Sequence, residues 1–298
     1  MSTYDKQYQD ALSRIVTEGA SSVDRTGVGT TKVFDSNYSI DLRSSSDSYL
    51  LPALTLRKVF PRVAFEELAW YLRGSNNVNE LNDVNIHIWD GHSSREYLDS
   101  IGLFHLKEGF IGKSYGYQFR NSGKVDQLYN LIEGLLENPE SRRHILTTWI
   151  PEDLSEMALV PCAHTYDFMV EGEYLNLKLI QRSGDMVLGV PTNIMIATFF
   201  LTLIAKVCGY KVGTLAHSIT NAHIYDNHHE AVSQLRSVSP DDYELATFEI
   251  NTEFDFTKKF DAQELDNFVQ SLSYPATIRE MEYSSHKSIS KDKLIMAI

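Results

Sequence analysis

The stretch from residue 159 to residue 193, LVPCAHTYDFMVEGEYLNLKLIQRSGDMVLGVPTN, concentrates reactive and hydrogen-bonding side chains between two apolar runs. It holds Cys162 directly after a proline, Arg182 in a Gln-Arg-Ser triplet and a lone acid at Asp185. An amide, Asn193, follows a Gly-Val-Pro-Thr turn. The residues in between are strand-like on both sides of a Glu-Gly-Glu triplet, which is typical of a β-hairpin. We expect any chemistry of this protein to lie in this stretch.

Outward from this hairpin, the spacing of apolar residues predicts the other elements. The run Asn193–Gly209 is almost wholly apolar and predicts a long buried helix. The segment Asn85–Asp90 predicts a short aromatic strand or turn, and the chain after Pro240 is acidic and polar with only short strand candidates. The remaining predicted elements are helices at 4–18, 65–72 and 125–137, and strands at 32–42, 145–149, 166–180 (the hairpin itself) and 218–225.

Composition limits the class of protein. The chain has 298 residues, of which 43% are hydrophobic, and neither a linker nor an internal repeat divides it, so we expect one domain over residues 1–298. A net charge of -13 repels polyanions, which argues against a nucleic-acid surface, although a few clustered arginines still hold a small anion. Two cysteines, Cys162 and Cys208, do not form a disulfide framework and fit a reducing compartment. The N-terminus lacks a signal-peptide core and the apolar run Ile194–Val207 is too short for a bilayer, so we expect a cytoplasmic protein without a membrane partner.

Several polar positions allow both an ordinary and a functional interpretation. The loop Asp24–Thr30, DRTGVGT, is either a turn or an anion site built from backbone N–H groups and one guanidinium. Glu67 beside an apolar helix face is either a solvated rim residue or a buried general acid. The adjacent Arg142 and Arg143 are either solvated or phosphate-binding.

Three histidines, His223, His228 and His229, raise the question of a metal site. They have no matching carboxylate and no Cys-x-x-Cys, so we expect no metal.

Taken together, a series of short motifs resembles one family along nearly the whole chain. In order they are DRTGVGT, EELAWYLRG, NIHIWD, SYGYQFR, NPESRRHI, MALVPC, QRSGDMVLGVPTN, AHIYDNH and MAI. Their order and spacing resemble those of the thymidylate synthases and the related pyrimidine-nucleotide hydroxymethylases, and the match weakens after about Pro240. The resemblance implies an α/β (α+β) sandwich whose bent mixed β-sheet forms a homodimer interface.

The same resemblance implies a reaction, the transfer of one carbon from 5,10-methylenetetrahydrofolate to C5 of a deoxypyrimidine monophosphate. C5 is a poor nucleophile, so a thiolate first adds at C6 to make an enolate. Cys162 is the matching nucleophile and Arg182 the cation that stabilises its thiolate. Glu67 would organise proton transfer near O4 of the base, and Tyr115 would lie where the C5 proton leaves. Asp185 and Asn193 complete the catalytic set that the resemblance implies.

The resemblance also assigns the binding residues. The phosphate and sugar of the substrate would be held by Arg25, Gln181, Arg182, Ser183, His223 and Tyr225, with Arg142 and Arg143 reaching across from a second subunit. Asn193 would select uracil, because a carboxamide accepts from N3–H and donates to O4, so the substrate would be dUMP. The folate would be bound by Ile88, Trp89, Leu159, Asp185, Leu188, Gly189 and Thr192, with Ala297 and Ile298 closing over it.

The sequence departs from the usual synthase pattern in four places, one of them a pair of residues. Ala163 stands where most synthases have a histidine, with His164 one step later, and Thr192 and His92 replace two aromatic residues. Thr220-Asn221 replaces a Gly-Asp pair. Loss of two aromatic walls is expected to loosen the folate stack and admit water to the exocyclic methylene, so the pattern favours hydroxymethylation of dUMP. The alternatives are thymidylate synthesis and a non-catalytic nucleotide- or folate-binding homologue.

Overall fold

A mixed six-stranded β-sheet is the framework of the protein. The computed structural model describes residues 3–23 and 27–295. The strands are β1 (Ala20–Ser22), β2 (Thr30–Asp41), β3 (Tyr49–Leu51), β4 (Ile145–Thr147), β5 (Ala163–Glu171), β6 (Tyr174–Asp185), β7 (Lys211–Tyr225), β8 (Ala246–Ile250) and β9 (Ile278–Glu282). The large sheet has the order β1-β2-β7-β6-β5-β4, and β3-β8-β9 form a small second sheet.

Helices pack around these sheets. They are α1 (Thr3–Glu18), α2 (Pro61–Leu72), α3 (Asn79–Asn82), α4 (Asp90–Ser93), α5 (Arg95–Ser100), α6 (Gly116–Asn121), α7 (Gln127–Glu137), α8 (Gly189–Cys208), α9 (His229–Ser237), α10 (Ala262–Ser271) and α11 (Tyr274–Thr277). Short 3₁₀ turns cover Pro151–Glu156, Asp226–His228 and Lys291–Lys293. The α/β class with a mixed sheet agrees with the prediction.

The pairing of β6 with β7 determines which polar side chains lie together at one edge of the large sheet. Strands β5 and β6 form the predicted antiparallel hairpin, with Gly172 at a φ of 60° in its turn. Strand β7 then runs parallel to β6 because helix α8 crosses between them. In a parallel pair both carboxyl ends meet at one edge of the sheet, and Asp185 is accordingly the register partner of His223.

Helix α8 is the core element of the fold. Its buried face includes Phe199 and Phe200, and Thr198 satisfies its hydroxyl by donating to the carbonyl of Ile194 at 2.8 Å. The helix has 20 residues, so the prediction of an apolar run too short for a bilayer underestimated its length. Because 83% of its most apolar window is buried inside the protein, we interpret α8 as a core helix, as predicted.

Two segments were only partly specified by the sequence. Of the strand or turn predicted for Asn85–Asp90, the structure has the turn, which leads into α4. After Pro240, helix α10 was not predicted, although it buries Leu265 and Phe268 and has Asp261 as its N-cap, accepting from the backbone N–H of Glu264 at 2.9 Å. The Asp-x-x-Glu spacing there was the available signal for a helix start.

Candidate active site

A cleft of about 840 Å³ opens where β6 and β7 end. Its walls bring together Cys162, Arg182, Ser183, Asp185 and His223. Leu159 and Tyr225, also expected from the sequence, line the same cleft. These side chains meet because the parallel register places Ser183 opposite Asn221 and Asp185 opposite His223.

Cys162 lies in this cleft beside a fixed guanidinium. Arg182 Nη2 is 3.7 Å from the Cys162 sulfur. The same arginine donates from Nε to the carbonyl of Pro161 and from Nη2 to that of Val160, both at 2.9 Å. A positive charge held next to a thiol favours the thiolate, which is the reactive form. By contrast, burial raises the pKa of Cys208 to about 12, so that cysteine stays a thiol.

A bulge after Cys162 shapes the end of strand β5. The pairing of β5 with β6 steps from Ala163–Gln181 to Thr165–Ile180, so His164 is the extra residue. The carbonyl of His164 accepts from the backbone N–H of Thr148 at 2.8 Å. Burial, and secondarily the charge of Arg182, lowers the pKa of His164. The histidine one step after the usual position therefore belongs to a bulge rather than to a regular strand.

Trp149 is a site residue that sequence reasoning missed. Its ring lies under the Arg182 guanidinium with 5.6 Å between the guanidinium carbon and the ring centroid, and it lines the cleft. Such stacking restrains a guanidinium over an aromatic face. The sequence placed Trp149 only at the end of a strand, and its contact with Arg182 arises from the sheet order.

Glu67 is buried, which excludes the interpretation of a solvated rim residue. Its side chain is only 6% exposed. Oε1 accepts from the hydroxyl of Tyr71 at 2.6 Å and from the indole N–H of Trp89 at 2.8 Å. Burial raises the pKa of Glu67, and these two hydrogen bonds partly oppose that rise. Glu67 is thus a buried carboxyl group, as a general acid requires, and not a rim glutamate.

Tyr115 contacts both Tyr71, a hydrogen-bond partner of Glu67, and Cys162. Its phenol oxygen accepts from the backbone N–H of Cys162 at 2.9 Å, and its ring stacks on Tyr71 with centroids 5.0 Å apart and planes 8° apart. Its φ is 25°, an uncommon backbone conformation for a residue with a side chain. Burial, followed by the charge of Cys162, raises the pKa of Tyr115 well above its ordinary value, so it remains a phenol. Strain of this kind clusters at functional sites.

Several of the predicted base and folate residues, Leu188, Gly189, Thr192 and Asn193, lie at the start of α8 and outside the lining of the cleft, whereas Ile88 and Trp89 precede α4. Leu188 precedes the helix, and Thr192 and Asn193 are its fourth and fifth residues. A Cβ at Gly189 would lie 3.7 Å from Cβ of Asp185 and 3.9 Å from Nδ2 of Asn193, so these three positions are neighbours. The Asn193 carboxamide makes no side-chain hydrogen bond to any residue within 3–23 or 27–295, which leaves its donors and acceptor for a ligand.

Gln181 differs from the other predicted substrate residues. It is 1% exposed, its Nε2 donates to the carbonyl of Ser183 at 2.8 Å, and its Oε1 accepts from His217 at 2.8 Å. Both ends of its amide are used inside the protein. In this structure it supports the end of β6.

The paired arginines and the termini lie elsewhere. Arg142 and Arg143 are exposed, and Arg142 lines a separate groove of about 620 Å³ on the face of the large sheet. Arg25, Ala297 and Ile298 fall outside the described residues. The described chain ends close to the cleft, because His228 donates to the carbonyl of Ile295 at 2.9 Å and its other ring nitrogen is 3.9 Å from Asp185.

His223 and its neighbours form no metal-binding group within the described ranges. His223 packs perpendicular to Tyr225, with ring centroids 5.1 Å apart. Among residues 3–23 and 27–295 no cluster of three or more His, Cys, Asp or Glu side chains could hold an ion.

Comparison with known proteins identifies the family. The sequence profile of thymidylate synthase matches residues 6–290. The chain belongs to the thymidylate synthase family. The match includes most of the segment after Pro240, in which the resemblance by motif is weak.

Three relatives show how far the family likeness extends. The chain is 37% identical to the thymidylate synthase of Ascaris suum over 268 residues, which are 85% of this chain and 90% of that protein. It is 40% identical to the thymidylate synthase of Equine herpesvirus 2 over 249 residues, 79% of this chain and 84% of that protein. It is 41% identical to the bifunctional dihydrofolate reductase-thymidylate synthase of Zea mays over 241 residues, 76% of this chain. The chain spans about half the length of the bifunctional relatives.

Thr192 and His92, two departures from the usual thymidylate synthase pattern, both have contacts inside the protein. Thr192 turns its hydroxyl back to the carbonyl of Leu188 at 3.3 Å. His92 is 7% exposed and packs edge-on against Trp89 and Tyr97, with centroids 6.0 and 5.1 Å apart. The wall at His92 therefore remains a closely packed aromatic cluster, and Tyr97 extends it to the cleft.

Proposed function

We propose that this protein transfers one carbon from 5,10-methylenetetrahydrofolate to C5 of dUMP and that the product is dTMP. The observation that carries the proposal is the position of the Cys162 sulfur, 3.7 Å from the Arg182 guanidinium in a cleft that also contains Ser183 and His223. A stabilised thiolate beside phosphate- and sugar-binding groups suits covalent attack on a nucleotide base. Membership of the thymidylate synthase family supports the same reaction.

The first step is the addition of the Cys162 thiolate to C6 of dUMP. The sulfur–carbon bond forms as the C5–C6 double bond opens, and the charge moves to O4 as an enolate. Glu67, a buried carboxyl group with a raised pKa, exchanges a proton with O4 directly or through water. The enolate makes C5 nucleophilic enough to take the one-carbon unit.

The second step removes the C5 proton. Tyr115 stays a phenol because burial raises its pKa, so it serves to orient a water that accepts this proton. The phenol oxygen also accepts from the Cys162 N–H, which keeps Tyr115 beside the attacking sulfur. The bond between the one-carbon unit and the folate would then break, which leaves an exocyclic methylene at C5. The tetrahydrofolate would supply a hydride to this methylene and leave as dihydrofolate, and release of Cys162 from C6 restores the C5–C6 double bond.

Folate supplies the one-carbon unit as co-substrate, and its proposed binding residues lie directly before α4 and at the start of α8. Ile88, Trp89, Leu188 and Gly189 offer apolar surface, and Asp185 offers a carboxylate for the N–H groups of a pterin. Asp185 Oδ1 already accepts from the backbone N–H of Val187 at 2.9 Å, which fixes the orientation of the carboxylate.

Asn193 decides the choice of base. Its carboxamide both donates and accepts, which matches O4 and N3–H of uracil and mismatches cytosine. No residue within 3–23 or 27–295 forms a hydrogen bond with this amide, so its donors and its acceptor remain for hydrogen bonds to the base.

We propose reduction of the methylene group rather than its hydration. The departures at His92 and Thr192 favoured hydroxymethylation in the sequence alone, through loss of aromatic walls. The packing of His92 against Trp89 and Tyr97 keeps an aromatic cluster at the first position, and the Thr192 hydroxyl is used by the carbonyl of Leu188, and both contacts favour reduction over hydration. The names of the relatives also favour thymidylate synthesis.

A second subunit completes the proposed phosphate site. Arg142 and Arg143 are exposed and do not line the cleft of their own chain, and Arg142 lines a groove on the face of the large sheet. A two-fold dimer through this face would place them at the partner's cleft. Arginine forks suit a phosphate group.

Release of tritium from C5-labelled dUMP tests the proposed reaction class. We expect release that requires both the protein and methylenetetrahydrofolate. Binding of dUMP or folate without release would contradict the proposal and would support the non-catalytic homologue instead.

A further inference from the structure

Tyr71 contacts the proposed proton-transfer residue Glu67 directly, and the proposed reaction steps do not use it. It lies on α2 one turn after Glu67, and its hydroxyl donates to Glu67 Oε1 at 2.6 Å. Trp89 donates from its indole nitrogen to the same oxygen at 2.8 Å. Both contacts are buried.

Two donors on one oxygen make the carboxyl group asymmetric. An indole N–H only donates, and Tyr71 stays a donor because burial, followed by the charge of Glu67, raises the pKa of its phenol well above the ordinary value. Oε1 is therefore held as an acceptor. Among residues 3–23 and 27–295 none donates to Oε2, the other oxygen.

Tyr71 also contacts the tyrosine that lies beside the nucleophile. Its ring stacks in parallel on Tyr115, whose phenol oxygen accepts from the Cys162 N–H. Phe119 packs on Tyr71 as well, with centroids 5.9 Å apart. The ring of Tyr71 thus has a packing role that is separable from the hydrogen bond of its hydroxyl.

We propose that Tyr71 is a positioning residue whose hydroxyl, together with the Trp89 indole, holds Glu67 Oε1 as the acceptor and leaves Oε2 to exchange the proton with the base. The inference rests on the proposed function. When Oε2 gives its proton to O4, the two donors stabilise the carboxylate that remains, and the proton returns to Oε2 when O4 releases it. The exchange needs no other reactant.

Three phenols within residues 3–23 and 27–295 interact electrostatically with Glu67. They belong to Tyr71 on α2, Tyr115 directly before α6 and Tyr166 on β5. Burial raises the pKa of each phenol, so none of them titrates near neutral pH. An inflection near neutral pH that depends on Glu67 can therefore be assigned to its carboxyl group.

The test compares Tyr71→Phe with the wild type across pH, using tritium release from C5-labelled dUMP. The variant keeps the ring and its stacking on Tyr115 and Phe119. Losing one donor to the carboxylate should move the Glu67 inflection upward by about one pH unit and lower the maximal rate about tenfold. Glu67→Gln identifies that inflection by removing it.

Tyr210→Phe is the matched control, because it removes a tyrosine hydroxyl bond of 2.7 Å to the carbonyl of Leu135, away from the cleft. It should leave the inflection unchanged. An unchanged inflection in Tyr71→Phe, or an equal shift in both variants, would overturn the role of Tyr71. Absence of tritium release from the wild type would refute the proposed function itself, so the two failures are distinguishable.

Discussion

At the scale of single residues, two cysteines of the same chain differ in environment. Cys162 is partly exposed in the cleft beside Arg182, whereas Cys208 is buried in α8 and its pKa is raised by burial. The contrast supplies an internal control for the nucleophile. A thiolate requires a nearby positive charge or solvent, and only Cys162 has them.

Cys162→Ser should abolish turnover, by roughly 10⁴-fold or more, because a hydroxyl at this position is a far weaker nucleophile. Binding of dUMP measured by calorimetry should stay within a few-fold of the wild type. Cys208→Ser should keep most of the activity. Near-normal turnover in Cys162→Ser would show that the nucleophile is misassigned.

Asn193→Asp should shift base preference towards dCMP. A carboxylate or carboxylic acid pairs with the amine and bare N3 of cytosine, and each mismatched buried group costs about 1–3 kcal/mol, so a change of about 10-fold to 100-fold in relative kcat/KM is expected. Kinetics with the two nucleotides measure it. Equal preference in wild type and variant would argue against base reading by Asn193.

Motifs in the sequence predicted several of the residues that line the cleft, but not all of them. Cys162, Arg182 and Asp185 could be named from their motifs, and the structure places them in one cleft. Trp149 and Tyr97 could not, because their contacts depend on which strands and helices become neighbours. Tyr71 had a visible signal, its spacing of four residues from Glu67, which places both on one helix face.

At the scale of elements, local patterns predicted more than long-range pairing. The hairpin of β5 and β6 follows from alternation and a Glu-Gly-Glu turn, which are local properties. The parallel pairing of β6 with β7 depends on a crossover through α8, and the bulge at His164 depends on the partner strand. Neither is determined by a short stretch of sequence.

Strand β7 contains a buried histidine that should make stability depend on pH. His217 is fully buried, donates to Gln181 on β6, and has its pKa lowered to about 3 by burial. In the unfolded chain this histidine is protonated below about pH 6.5, whereas in the folded chain it stays neutral down to about pH 3. Its contribution to the free energy of unfolding is therefore complete above pH 6.5 and is lost as the pH falls towards 3.

Denaturant unfolding between pH 7 and pH 4 measures this effect. His217 should contribute a loss of roughly 1 kcal/mol for each pH unit in that window, and His217→Gln should flatten the profile accordingly. His229→Gln, at an exposed position, should follow the wild type. If the free energy of unfolding depended on pH equally in the wild type and in His217→Gln, His217 would not be a buried neutral histidine.

At the scale of the whole molecule, the proposed dimer makes each site depend on two chains. Cys162→Ser and the double variant Arg142→Ala/Arg143→Ala should each be inactive or severely impaired alone. Mixed and allowed to exchange subunits, they should recover about a quarter of wild-type activity, because half of the dimers are hybrids with one intact site.

The control for subunit exchange replaces the exposed Lys258 and Lys259 with alanine, which changes the same charge elsewhere on the surface. That variant should be active alone. Failure of the mixture to recover activity, with hybrids present by native mass spectrometry, would mean that Arg142 and Arg143 do not serve a partner's site.

The products of the reaction distinguish thymidylate synthesis from hydroxymethylation. The protein is incubated with dUMP and 5,10-methylenetetrahydrofolate, the nucleotide is identified by mass, and dihydrofolate is measured in the same sample. We expect dTMP with one equivalent of dihydrofolate. Formation of 5-hydroxymethyl-dUMP with tetrahydrofolate, or recovery of unchanged dUMP, would contradict it.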